Sequence, residues 1–395
     1  MKMLIKNAAV VFCDGVRTSN VLIKNGKIAD VNYNGNLTDD IEVINADGLY
    51  LLAGFVDLHV HGGGGADFMD ATVDAFETAV KAHLKHGTTL LYPTAVAASY
   101  DDLCDFLNAY NQFKEQSEYA KLTPSVHLEG PYFFGANQLS RGAQNGAVLR
   151  LPDMDEVEKL LAVSKGSISR WDASPELEGA YEFANKMREL GIICSVAHTD
   201  ATAPQTLKGF ENGFNHVTHF YNATSLHRKR EQTVYAGVVE ATYLDDNVTV
   251  ELIGDGCHIP KETLALTLKI KGAQKISVIT DAMRIAGTNM QSGKLGSLKC
   301  GMEVIVDNNV AKLADKVSFA GSIATMDRCL RVLCNDYGID LPTASVMLSL
   351  APSIRMGVDN QKGSIAVNKD ADFVLFDNNL NLKQVIVGGK ICGEI

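Results

Sequence analysis

With 395 residues, 46% of them hydrophobic and 21% charged, the chain is long enough for a large core and has an ordinary globular composition. Its net charge of −11 argues against a nucleic-acid or anionic-membrane partner, while a small anionic substrate can still be held by a local basic cluster. No apolar run reaches the ~18–20 residues of a membrane span, and the N-terminal MKMLIKNAAVVF lacks the apolar centre of a signal peptide. The eight cysteines are scattered without a C-x-x-C pair, which reads as reduced thiols in a cytoplasmic protein.

Residues 1–53 alternate short β-like runs with turn signals: LIKNAAVVF, NVLIKNGKIADV, IEVINADGLYLL. The end of the chain repeats this texture in DFVLFD and LKQVIVGGKICG, so 1–53 and 353–395 are expected to build one small β-sandwich domain from both termini. Between them, 54–352 carries strand-like runs at 55–61, 88–96, 125–132, 167–174, 192–199, 215–222, 248–255 and 276–283. Stretches with helical spacing separate them, among them 71–86, 176–190 and 203–212. Strand and helix repeated in this way predict an α/β fold, a (β/α)8 barrel. A doubly wound open sheet is disfavoured, because no G-x-G-x-x-G follows the first run. Residues 285–320 interrupt the repeat with turn and hairpin signals and are expected to sit on the face that carries the active site.

Chemistry on such barrels sits at the carboxyl ends of the strands. His59 and His61 end the first run in FVDLHVHGGGG, two apart and so facing one side of a strand. Glu129 ends the third run, His198 the fifth and His219 the sixth; Asp255 and His258 follow the seventh, and Asp281 ends the eighth. An H-x-H alone is a weak signal. Half of the chain's ten histidines falling on one rim with three carboxylates is a strong one, and it points to a metal-dependent hydrolase. Other histidines have plainer readings. His127 and His216 suit interior structural roles, His83 and His86 suit a helix surface or its C-terminal dipole, and His227 suits a solvated loop.

The motifs HLEGPYF, VAHTDA, THFYNA, DGCHI, ITDAM and FAGS, in this order, resemble the N-acetylglucosamine-6-phosphate deacetylases of the amidohydrolase superfamily over nearly the whole chain. The resemblance implies a divalent metal held by Glu129, His198 and His219, with Asp281 as the acid and base of amide hydrolysis. It leaves open whether His59 and His61 hold a second ion, and zinc is the default over iron for such ligands. For the substrate it implies Ala143 and Gln144 near the acyl group and Asn222, Ala223, Arg230 and His258 around the phosphate. Asp255, Phe319, Ala320 and Gly321 are implied along the sugar pocket. The Arg230-Glu231 step implies a homodimer in which Arg230 reaches into the neighbouring subunit's site.

One departure stands out. Gln144 occupies a position where the family usually has histidine, and Gln can donate a neutral hydrogen bond but cannot carry charge. N-acetylgalactosamine 6-phosphate is therefore the competing substrate. A dihydroorotase-like or D-aminoacylase-like enzyme is the rival reading within the superfamily, but the fourth run, SISRWDAS, lacks the lysine those enzymes use. A metal-free assembly protein is the rival outside catalysis.

Overall fold

The computed structural model describes residues 2–36, 39–315 and 318–392, and the Arg230 side chain lies outside what it describes. All eight central runs are parallel strands of one sheet: Phe55–Val60, Thr88–Ala95, Val126–Tyr132, Ile168–Ala173, Ile193–Val196, Phe214–Val217, Thr249–Ile253 and Ile276–Ile279. They are hydrogen-bonded in chain order. The sheet closes where the first and last strands meet: Asp281 N donates to His59 O at 2.9 Å and His61 N to Ala282 O at 2.8 Å. Every residue of the first three strands is buried, which is why these strands read as continuous apolar runs rather than alternating ones.

Helices cover the outside. Val73–Leu84 starts at Thr72, whose side chain accepts from Ala75 N, and it turns Ala75, Phe76, Ala79, Val80 and His83 inward at helical spacing. Phe76 packs there against Phe68, Phe106 and Phe113 in tilted ring contacts, with centroids 4.9–5.7 Å apart. Burying such a ring contributes about 2–3 kcal/mol. Among the described residues, no helix is long and apolar enough to cross a membrane.

The two chain ends share one mixed eight-stranded sheet. Lys2–Phe12 pairs antiparallel with Gly15–Lys24 and parallel with Ile41–Asn45 and Tyr50–Ala53, and Phe373–Phe376 then pairs antiparallel with Tyr50–Ala53. Met3, Ile5, Val21, Leu51 and Phe373 belong to the separate core of that sheet. The interruption at 285–320 holds a three-stranded antiparallel sheet, Ser292–Leu295, Met302–Asp307 and Val310–Leu313. Arg284 fastens it to the barrel, donating to Asp70 and to the carbonyls of Lys294 and Gly296.

His83 differs from its expected place on a helix surface. It is buried, and its Nε2 lies 2.9 Å from Gly62 O, so it braces the glycine loop that follows His61. Burial pushes its pKa down to about 4, whereas an unfolded histidine titrates near ~6.5. Between these values the unfolded chain takes up a proton that the fold refuses, so stability is full above pH ~6.5 and falls as the pH drops toward 4. The urea midpoint of metal-free protein is expected to fall less steeply over this range in His83→Gln than in wild type. Identical slopes would contradict this role.

Candidate metal centre

The strand ends deliver the rim residues to one buried spot. His198, His219 and Asp281 each lie just past a strand end, at φ of 45°, 27° and 48°. Left-handed backbone at a residue with a side chain costs about 1–3 kcal/mol and persists where the surroundings enforce it. Here the enforcement is visible: Asp281 is pinned by the hydrogen bond to His59 O and by Ser322 N, which donates to Asp281 O at 2.7 Å. The turn at each strand end aims its side chain back over the barrel mouth.

Two groups of donor atoms result, Glu129 with His198 and His219, and Glu129 with His59 and His61. Within the first, Glu129 Oε1 lies 2.8 Å from His198 Nε2 and 3.0 Å from His219 Nε2. Within the second, Glu129 Oε2 lies 3.4 Å from His61 Nε2 and 3.8 Å from His59 Nε2. Asp281 Oδ1 stands 3.2 Å from His61 Nε2 and 3.5 Å from His59 Nε2. All six of these side chains are buried.

The protons on these rings can be placed from their far sides. His61 Nδ1 faces Thr94 O at 3.2 Å, His198 Nδ1 faces the carbonyls of Ser140 and Arg141 at 3.1 Å, and His219 Nδ1 faces Asn222 O at 3.0 Å. A carbonyl only accepts, so each Nδ1 carries the hydrogen and each Nε2 presents a lone pair. Yet His198 Nε2 and His219 Nε2 are 3.2 Å apart, and His59 Nε2 and His61 Nε2 are 3.1 Å apart. Lone pairs held that close repel unless a cation sits between them. The donor set therefore fits a divalent metal, and imidazole with carboxylate suits zinc or iron.

The electrostatics agree. Burial works against ionising Glu129, but hydrogen bonds from His198 and His219 in their protonated form outweigh it and hold its carboxyl well below the ordinary range, and a bound cation would take the place of those protons. Asp281 is likewise opposed by burial, yet His59 and His61 keep it below the usual carboxylate value. Both are anionic at neutral pH.

Beside these residues opens a cavity of about 250 Å³, lined by His61, Glu129, His198, His219 and Asp281 and also by Ala143, Gln144, Asn222, Ala223, His258, Phe319 and Gly321. Gln144 is fixed: its Oε1 accepts from Ala97 N at 3.0 Å, and its Nε2 lies 3.3 Å from His198 Nε2. The buried Asn222 amide nitrogen has no hydrogen-bond partner among the described residues and is free for a ligand. Asp255 and Ala320 do not line the cavity. Asp255 stands behind His258, Oδ2 to Nδ1 at 2.8 Å, leaving Nε2 as the free nitrogen of that ring, and Ala320 is buried with its N–H on Ala311 O. Arg230 ends the strand Arg228–Arg230, which pairs with Thr233–Tyr235, and its side chain lies outside the described atoms.

Beneath the donor groups lies a buried layer that sequence reasoning missed: Thr94, Arg170, Asp172, Thr218 and Glu251. A signal existed. Arg170 and Asp172 sit two apart inside the strand run SISRWDAS, and Glu251 sits inside VTVELIG, where a parallel barrel strand offers no solvent to a charge. His127 joins this layer, its Nε2 2.9 Å from Asp172 Oδ1, in keeping with an interior structural role.

Residues 50–392 match the sequence model of the amidohydrolase family. The chain is 31% identical to an N-acetylglucosamine-6-phosphate deacetylase of Lysinibacillus sphaericus, over 99% of this chain and 98% of that one. It is 30% identical to an N-acetylgalactosamine-6-phosphate deacetylase of Escherichia coli O157:H7, over 89% and 90%. Its fold superposes on that of a variant N-acetyl-D-glucosamine-6-phosphate deacetylase of Mycobacterium smegmatis in complex with N-acetyl-D-glucosamine-6-phosphate, with a TM-score of 0.88, 28% identity and 99% coverage of both chains.

Because Glu129 belongs to both donor groups, Glu129→Gln is expected to abolish metal uptake, whereas His61→Asn leaves an ion at Glu129, His198 and His219. Atomic emission on dialysed protein measures this directly. Metal content unchanged in Glu129→Gln would remove the carboxylate from the ligand set.

Proposed function

We propose, from the premise that this chain belongs to the amidohydrolase family, that its rim site hydrolyses the N-acetyl amide of N-acetylglucosamine 6-phosphate. The products are glucosamine 6-phosphate and acetate. The observation that carries this reading is the convergence of Glu129, His198 and His219 beside Asp281 at the mouth of a cavity that also holds the unpartnered Asn222 amide nitrogen. Two groups sharing Glu129 favour two ions per subunit, with zinc as the default metal.

A divalent ion held by Glu129, His198 and His219 would supply Lewis acidity for activating water and polarising the amide carbonyl. Asp281, anionic and beside both donor groups, takes a proton from the attacking water and returns it to the leaving nitrogen, because an amine leaves poorly until protonated. Gln144, its oxygen tied to Ala97 N, offers its N–H₂ to the substrate carbonyl. Asn222, Ala223, His258 and Arg230 form the phosphate end, where the arginine fork suits a doubly charged monoester. Phe319, whose ring centroid is 4.5 Å from that of His258, walls the sugar together with Gly321. The Arg228–Tyr235 hairpin exposes Val234 and Tyr235, which supports a homodimer in which Arg230 serves the neighbouring site. The reading places the enzyme in the cytoplasm.

N-acetylgalactosamine 6-phosphate remains the second reading, favoured by Gln144 and by the Escherichia coli relative. Initial rates on N-acetylglucosamine 6-phosphate, N-acetylgalactosamine 6-phosphate and unphosphorylated N-acetylglucosamine, measured side by side, decide between them. The first is expected to lead in kcat/KM, and the third to be poorest. Equal turnover with and without phosphate would overturn the assignment of His258 and Arg230. Asp281→Asn is expected to keep its metal and lose about 10³-fold in kcat; a rate near wild type would exclude Asp281 as the proton carrier.

A further inference from the structure

Among the four site histidines, His59 alone turns its Nδ1 to a carboxylate: Glu251 Oε2 lies 3.4 Å away, and both side chains are fully buried. Glu251 is itself held on several sides. Arg170 donates to it from both terminal nitrogens, from Nη2 at 3.0 Å, while His216 Nε2 lies 3.5 Å from its Oε1 and His219 N donates to its Oε2 at 3.4 Å. Arg170 is fixed in turn by Asp172 Oδ1 at 3.2 Å, Ser195 Oγ at 2.9 Å and Thr218 Oγ1 at 2.6 Å. A chain of polar contacts thus crosses the barrel from the fourth strand through the seventh to the first.

We infer that Glu251, steadied by Arg170, is a positioning residue that keeps the His59 proton on Nδ1 and so dedicates His59 Nε2 to metal. A backbone carbonyl can set a tautomer; a carboxylate also raises the basicity of the ring it faces, and loss of such a partner weakens metal binding by about 10–100-fold. His59 is also the ring whose Nε2 lies farthest from Glu129, at 3.8 Å, so it depends most on support from behind. The inference rests on the metal-site reading above and is independent of the sugar.

The test is zinc uptake by the full-length chain at graded free zinc, read by atomic emission, for wild type, Glu251→Gln, His59→Gln and the double variant. Glu251→Gln is expected to weaken the ion at His59, His61 and Glu129 by about 10–100-fold, to spare the ion at Glu129, His198 and His219, and to have no further effect once His59 is Gln. Equal weakening of both ions, or an undiminished effect in the His59→Gln background, overturns the inference, because Glu251 would then act through the His219 backbone. So does unchanged uptake, or a wild type that binds a single ion. Where Glu251→Gln fails to fold, ¹⁵N NMR of metal-free wild type, taken at a pH high enough for the His59 ring to be neutral, reports its tautomer: Nδ1–H is expected, and Nε2–H overturns the proposal. Neither readout uses turnover, so a failed deacetylase assay would count against the reaction and leave this inference to its own evidence.

Discussion

Facing lone pairs are the constraint on which the rest of the molecule depends. Two pairs of imidazole nitrogens sit 3.1–3.2 Å apart with their protons committed to acceptors on the far side, and a single carboxylate bridges both pairs. At such separations neutral rings repel, so the arrangement is a favourable one only around cations. Everything nearby serves to hold it: carbonyls behind three rings, a carboxylate behind the fourth, and left-handed backbone at three of the residues that reach the mouth. A barrel suits this task because its strands end on one rim and are rigid beneath it. The interior is unusual in its middle, where a guanidinium and two carboxylates replace the branched apolar side chains that commonly fill such a core.

That charged layer is costly by itself. A buried ion pair seldom stabilises a fold more than apolar residues of the same volume would, because each charge must first lose its water. Arg170 offsets this by satisfying nearly every donor it carries, with Glu251, Asp172, Thr218 and Ser195 as partners. The layer's value lies in orientation: packed hydrocarbon could fill the same space, but it could not fix which nitrogen of His59 carries a proton. Stability comes from elsewhere, from the aromatic cluster around Phe76 and the apolar strands that surround the polar centre.

How far the sequence was readable follows from the same physics. Strands of a closed parallel barrel are buried on both faces, so they stand out as short apolar runs, and all eight were placed correctly. The convergence of the rim residues was legible because polar residues that end such runs have one place to go. His83 was not, since a histidine on an amphipathic helix looks the same whether it meets solvent or a carbonyl across the loop. The Arg170 layer is hidden for a related reason: its charges lie within the strands, away from the strand ends where chemistry on a barrel is expected. Asp255 was read as a pocket residue when it stands one step back, orienting His258. Spacing along a strand reveals which face a residue shares and leaves its depth from the cavity to the packing.

Gln144 shows how a departure from the family pattern acquires meaning from its surroundings. An amide can be turned either way, but Ala97 N–H needs an acceptor, which commits the Gln144 oxygen and leaves the nitrogen toward the cavity. That nitrogen lies 3.3 Å from His198 Nε2, whose lone pair is the same one a metal would take. Once a cation claims that lone pair, the N–H is released to whatever carbonyl enters beside it. An imidazole in this position would change its charge with pH; the amide remains a neutral donor throughout. Under the proposed function, Gln144 would keep a hydrogen bond to the acyl oxygen and give up electrostatic stabilisation of a developing negative charge. More of that stabilisation then falls on the metal-binding groups, which is consistent with a site that keeps both histidines of its H-x-H pair and the buried carboxylate behind them.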